Sequence, residues 1–214
     1  MYVILLGLPG AGKGTQAARL TRAIGLAHIT TGELFRENIR LGTALGKKAR
    51  PYVEKGLLVP DEITIDMLLE RVSQRDCEAG YILDGFPRNL EQARVLDEAL
   101  VQQGKAIDRV AYIKVPTEEL VRRLAGRWSC PRCGEVYQES NRPPKVAGIC
   151  DNCGAELYQR EDDRPEVVRT RLEVNLAQLE QLLGYYRQTG KLVEVDGEGD
   201  VETIGGELTA ALSS

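Results

Sequence analysis

Residues 3–15 read Val-Ile-Leu-Leu-Gly-Leu-Pro-Gly-Ala-Gly-Lys-Gly-Thr, an apolar run leading straight into a glycine-rich loop with a lysine. Such a start commits the chain to a strand, a tight loop and a helix in immediate succession. Gly7, Gly10 and Gly12 let successive N–H groups turn inward toward one anion. The N-terminus of the following helix aims its partial positive charge at the same point. Gly10, Ala11, Gly12, Lys13, Gly14 and Thr15 therefore form a candidate triphosphate cradle, with Lys13 reaching for the outer phosphates. Gly14 stands where a phosphate loop usually has Ser or Thr. Magnesium is accordingly expected to be held through phosphates and water, not by a hydroxyl of this loop.

The cradle needs a domain around it, and 214 residues suffice for one domain with small insertions. Apolar runs near 2–6, 26–29, 81–83, 109–115 and 191–195 alternate with helical patterns, which predicts an α/β fold with a parallel sheet. Thr30-Thr31-Gly32-Glu33 reads as a capping box opening a helix to about residue 40, and a short helix is expected over 43–55. Pro60-Asp61-Glu62 marks another helix start, Asn89 with Gln92 a cap for a helix to about 103, and Thr117 a further cap. The clearest helix spans about 163–187, where Val168, Leu172, Leu176, Leu179, Leu183 and Tyr186 recur at spacings of three and four. Gly197 and Gly199 read as a turn before a closing helix.

Charge narrows the partners. A net charge of −4 is a poor basis for sequence-independent nucleic-acid binding. No apolar run approaches the roughly 20 residues a membrane span needs, and the chain's start lacks a secretory pattern, so the expectation is a cytoplasmic protein with no membrane partner.

Residues 128–158 break the α/β rhythm. Cys130-Pro-Arg-Cys133 and Cys150-Asp-Asn-Cys153 are separated by sixteen residues, and each pair is followed by glycine. Two such knuckles can close a tetrahedral four-thiolate site, the pattern of structural zinc, with no position left open for catalysis. A redox pair or a nucleic-acid-binding ribbon are the alternatives. Three basic residues against four acids across this stretch argue against the ribbon. Spacing does not distinguish zinc from iron. Cys77 stands apart and reads as a small buried residue, and His28, the one histidine, as structural.

Tyr81-Ile-Leu-Asp84 is a strand ending in an acid, which in phosphate-loop proteins commonly positions magnesium; a turn cap is the alternative. Arginines flank the cysteine insert: Arg123 and Arg127, four apart and so expected on one helix face, then Arg160, Arg164 and Arg171. Asp162 and Asp163 either orient these arginines or cap the long helix. Guanidinium forks suit phosphate oxygens, so a hinged insert would bring them down onto phosphates at Lys13. Gln92 offers a paired donor and acceptor matching an adenine edge.

Taken together, the chain resembles adenylate kinase, in the long-lid bacterial form whose lid binds zinc. The matching stretches are residues 7–16, Thr30 to Arg36, Asp84 to Arg88, Arg123 to Arg127, Asp162 to Glu166 and Gly184-Tyr185-Tyr186, in order along nearly the whole chain. In that family Gly14-Thr15 is the ordinary form of the loop. The resemblance implies a phosphate-loop nucleoside monophosphate kinase fold, with a core of residues 1–29, 60–125 and 164–214. It also implies a monophosphate-binding segment at 30–59 and a lid at 126–163. On the ATP side it implies residues 10–15, Arg123, Arg127, Val136, Tyr137 and the Gly199 backbone. For AMP it implies Thr31, Arg36, Leu57, Leu58, Val59, Gly85, Phe86, Pro87, Arg88 and Gln92, with Arg160 and Arg171 spanning both phosphates. The implied reaction is reversible transfer from Mg·ATP to AMP giving two ADP, by a monomer carrying structural zinc. An acceptor phosphate that is largely dianionic at pH 7 needs no general base. Rival expectations are a kinase for another nucleoside monophosphate and a nucleotide switch; the latter lacks a guanine-reading Asn-Lys-x-Asp stretch.

Overall fold

The computed structural model describes residues 1–139 and 142–213. Its strands are β1 (Tyr2–Leu6), β2 (Ala27–Thr30), β3 (Tyr81–Asp84), β4 (Arg109–Lys114), β5 (Arg127–Ser129), β6 (Val136–Gln138) and β7 (Leu192–Asp196). Five of them form one sheet in the order β2-β3-β1-β4-β7, and every pairing is parallel. β1 and β3 are apolar almost without interruption because both of their faces are covered; Val3, Ile4, Ile82 and Leu83 in them, and Val110 and Ala111 in the adjoining β4, are fully buried.

Helices cover both faces: α1 (Lys13–Ile24), α2 (Thr31–Leu41), α3 (Ala44–Glu54), α4 (Asp61–Val72), α5 (Leu90–Gln102), α6 (Thr117–Ala125), α7 (Pro165–Gln188) and α8 (Val201–Ser213). Because all five strands run the same way, the loops after them gather at one edge of the sheet. The chain lays β2 and β3 on one side of β1 and β4 and β7 on the other, so the crevice at the end of β1 is where a ligand fits an open α/β sheet.

Two smaller apolar clusters stand apart from the main core. Phe35, Ala49, Val59 and Met67 hold together α2, α3 and the start of α4. Cys130, Tyr137, Cys150 and Leu157 hold together the cysteine insert, which contains the antiparallel β5–β6 ribbon.

Local expectations stand in most places and fail in four. The helix after Thr30 forms, but without the capping box: the Thr30 hydroxyl lies 2.8 Å from His28 Nε2 and makes no cap bond. Thr117 lies inside α6, and the capping position belongs to Pro116. In α7 the stripe includes an exposed Leu176, whereas Leu182, outside it, is buried. Arg127 does not share a helix face with Arg123, since α6 ends at Ala125 and Arg127 opens β5. By contrast, the Asn89 side chain accepts from Gln92 N at 2.9 Å, as a helix cap should.

Candidate active site

Residues 7–12 join the end of β1 to α1. At Gly7 (φ +150°) a Cβ atom would lie 2.9 Å from the Ile113 carbonyl oxygen, so no other residue lets the loop pass so close to β4. The N-terminus of α1 has no side-chain cap, which leaves its first-turn N–H groups to an anion. Lys13 Nζ donates to the carbonyls of Gly7 at 2.8 Å and Leu8 at 3.1 Å. Burial lowers its pKa to about 8; Asp84 opposes the shift, and the charges of Arg88, Arg171 and Arg127 reinforce it.

Asp84, at the end of β3, is buried beside the loop, its Oδ2 3.4 Å from where a Cβ on Gly14 would sit. His28 Nε2 lies 3.7 Å from the same oxygen. Burial works to raise the Asp84 pKa, but His28, Lys13 and Arg88 hold it below the usual carboxylate value. A charged carboxylate facing a phosphate loop is the donor a hard divalent ion bound to phosphates and water would meet. Thr15 is exposed.

On the other side of Lys13, Gly85 is pinned by two neighbours. Thr31 Oγ1 and Arg88 Nε both donate to its carbonyl at 2.8 Å. A Cβ on Gly85 (φ +81°) would sit 2.9 Å from Thr31 Oγ1, which is why the residue is glycine. Arg36 lies across Gly32, with Nη1 3.1 Å from that glycine's Cβ position. Val59 is buried, Leu58 half-buried and Leu57 exposed. Phe86, before the cis Pro87, is buried and packs in the main core. Gln92 is 1 % exposed, with Oε1 accepting from Arg88 N and Nε2 donating to Asp61.

The insert and the helices flanking it, α6 and α7, deliver the remaining cations. Asp163 pairs with Arg127 through both oxygens and with Arg171 at 3.0 Å, and Asp162 pairs with Arg171 at 2.9 Å. The two acids therefore orient arginines; neither caps α7, whose capping position is Arg164. Arg160 Nε donates to Ser129 Oγ at 2.9 Å. Arg123 bonds Glu119 at 2.7 Å and the Gly197 carbonyl at 2.9 Å, tying α6 to the turn that contains Gly199. Arg88 and Arg160 are held below an ordinary guanidinium first by burial and then by neighbouring arginines; burial also leads at Arg171. Lys13, Arg36, Arg88, Arg127, Arg160 and Arg171 thus face, among the described residues, three buried acids, Asp84, Asp162 and Asp163. Cations crowded in this way are relieved by a polyanion.

The four paired cysteines come together, all ligand atoms within 4.8 Å of one another. The nearest sulfur pairs are 3.3 and 3.5 Å apart, against roughly 3.8 Å around a tetrahedral ion with 2.3 Å bonds. The two knuckles repeat one backbone pattern: Cys130 N to Glu135 O with Gly134 N to Cys130 O, and Cys150 N to Ala155 O with Gly154 N to Cys150 O. The donor set fits a structural metal. Tyr137 belongs to this cluster, its hydroxyl 3.5 Å from Cys150 Sγ and accepting from Asp151 N, so its side chain is engaged within the insert. Cys77 is buried against Arg71, away from the site.

The family model for adenylate kinase matches residues 5–191. The chain is 49 % identical over 212 residues to adenylate kinase of Caldicellulosiruptor bescii and 48 % to that of Brevibacillus brevis, covering 99 % of each chain. It is 50 % identical to adenylate kinase of Archaeoglobus fulgidus, covering 99 % of this chain and 98 % of the other. The chain belongs to the adenylate kinase family. Sequence reasoning overlooked Asp61, read only as a helix start but bonded to Gln92, and Glu119, which anchors Arg123. An acid at a helix start is common enough that nothing in the spacing marked Asp61 out. Among the described residues no helix is long and apolar enough to cross a membrane.

Proposed function

We propose that this chain transfers the terminal phosphoryl group of ATP to AMP, reversibly, giving two ADP. The observation that carries it is the excess of cations at the end of β1, which suits two nucleotides laid end to end. Residues 10–15 hold the ATP phosphates, with Lys13 leaving the loop carbonyls for the outer phosphates. Arg36 and Arg88 hold the AMP phosphate, and Thr31, Leu57 to Val59, Gly85 and Gln92 frame its nucleoside. Arg127, Arg160 and Arg171 lie where negative charge spreads during transfer, and Arg123 secures the turn at Gly199 beside the ATP base. Magnesium carried with ATP would neutralise the phosphates further, and Asp84 is the residue that would face it. No general base is required, because the acceptor oxygen is already ionised. Positioning, exclusion of water and charge stabilisation account for the catalysis.

Residues 30–59 act as the monophosphate-binding segment and 126–163 as a lid; their separate apolar clusters support that division. Zinc in the four-cysteine site gives the lid a core that so few apolar residues would not supply alone. We take the protein as a monomer, and cysteines free of disulfides suit a reducing cytoplasm. Coupled ADP release with AMP, GMP, CMP and UMP tests the acceptor: AMP is expected to dominate, and a preference for UMP or CMP overturns the assignment.

A further inference from the structure

Gln92 carries an amide whose two ends are told apart by their neighbours. One terminal atom lies 2.7 Å from Arg88 N, a group that only donates, so it is the oxygen. The other lies 2.6 Å from Asp61 Oδ1, a carboxylate oxygen that only accepts, so it is the nitrogen. A flip would set N–H against N–H at Arg88 and oxygen against oxygen at Asp61. Asp61 is itself held, since both its oxygens accept from Asn89 Nδ2 at 2.9 Å while Asn89 Oδ1 accepts from Gln92 N. The start of α4 thereby clamps the start of α5.

We propose that Asp61 is a specificity-determining positioning residue that locks the Gln92 amide in the orientation that reads adenine and rejects 6-oxopurines. The locked amide keeps one hydrogen on Nε2 and one lone pair on Oε1 unassigned. Adenine presents an acceptor at N1 and a donor at its 6-amino group. Hypoxanthine and guanine present the reverse, a donor at N1 and an acceptor at O6. A freely flipping glutamine serves both patterns, whereas a fixed one serves a single pattern. The inference rests on the reading of Gln92 as the residue that faces the AMP base.

Inosine monophosphate, which differs from AMP only at this edge, is the probe. Coupled ADP formation and calorimetric binding are measured with AMP and with inosine monophosphate for the parent chain, Asp61→Asn, Asp61→Ala and Gln92→Leu. Asp61→Asn keeps the volume and an acceptor for Asn89, and its amide can face a flipped Gln92. In both Asp61 variants the preference for AMP is expected to fall by about tenfold or more, through KM for the monophosphate, with KM for ATP unchanged. A purely structural role would weaken both monophosphates alike and leave their ratio fixed. An unchanged ratio in folded Asp61 variants, with Gln92→Leu shifting it, overturns the lock. An unchanged ratio in Gln92→Leu as well overturns the assignment of Gln92, and the lock with it.

Discussion

Asp163 and Arg127 lie 36 residues apart, at opposite ends of the cysteine insert, and meet as a buried two-point ion pair with Nε–Oδ2 at 2.7 Å and Nη2–Oδ1 at 2.5 Å. Asp163 is 0 % exposed and holds Arg171 at 3.0 Å as well. One carboxylate therefore closes the base of the insert and aims two cations of the site.

Asp163→Ala is expected to destabilise the protein by about 3–5 kcal/mol, because it leaves the half-buried Arg127 without its two-point partner and Arg171 with Asp162 alone. Bound ATP and AMP should shrink the deficit, their phosphates supplying the lost negative charge. Urea unfolding with and without both nucleotides measures this. A loss below about 1 kcal/mol, within the range of exposed pairs, would contradict the picture.

Lys13 links binding to pH. With its pKa lowered to about 8 from an ordinary 10.5, it is largely protonated below neutrality and largely neutral in the free site above pH 8. A triphosphate favours the ammonium form, so binding should take up protons above pH 8 and affinity should fall as pH rises. The same depressed pKa means the unfolded chain binds more protons between 8 and 10.5, so this group's contribution to stability rises with pH across that window. Calorimetry in buffers of different ionisation enthalpy reads the uptake directly. Equal uptake by Lys13→Arg would refute the assignment to Lys13.

Arg88→Lys keeps the charge but removes the Nε–H that reaches the Gly85 carbonyl at 2.8 Å, together with the planar fork. Turnover is expected to drop about a hundredfold, with KM for AMP rising and KM for ATP nearly constant. Steady-state kinetics with each nucleotide varied would show this split; a rise confined to ATP would place Arg88 on the wrong side of the site.

Cys130→Ser removes one of four thiolates from the cluster. Metal content should fall and the melting temperature should drop by roughly 5 °C or more, while turnover of the folded enzyme at moderate temperature stays near the parent value. Elemental analysis and thermal denaturation check both parts. Abolished turnover in fully folded protein would mean that the cluster does more than support the lid.

The sheet was legible along the chain because a parallel strand covered on both faces must be apolar throughout, as at Val3–Leu6 and Tyr81–Leu83. The cysteine site was legible for a similar reason: ligand spacing within a knuckle is local. Helix starts were less so. Thr30 has the sequence of a capping box, yet its hydroxyl turns to His28 on the same strand, a competitor that no local pattern reveals. Leu176 fits the stripe of α7 and faces outward all the same, since which side a long helix buries depends on the neighbours it meets.

By itself the sequence determined the phosphate loop, the parallel α/β order and the paired knuckles, because each depends on contacts within a few residues. Only the tertiary structure decided that Asp163 orients Arg127 and Arg171 instead of capping a helix, and that Asp61 faces Gln92. Those outcomes join residues 8 to 36 positions apart. They depend on where the strand ends bring their loops together, and charge type and local spacing do not encode that.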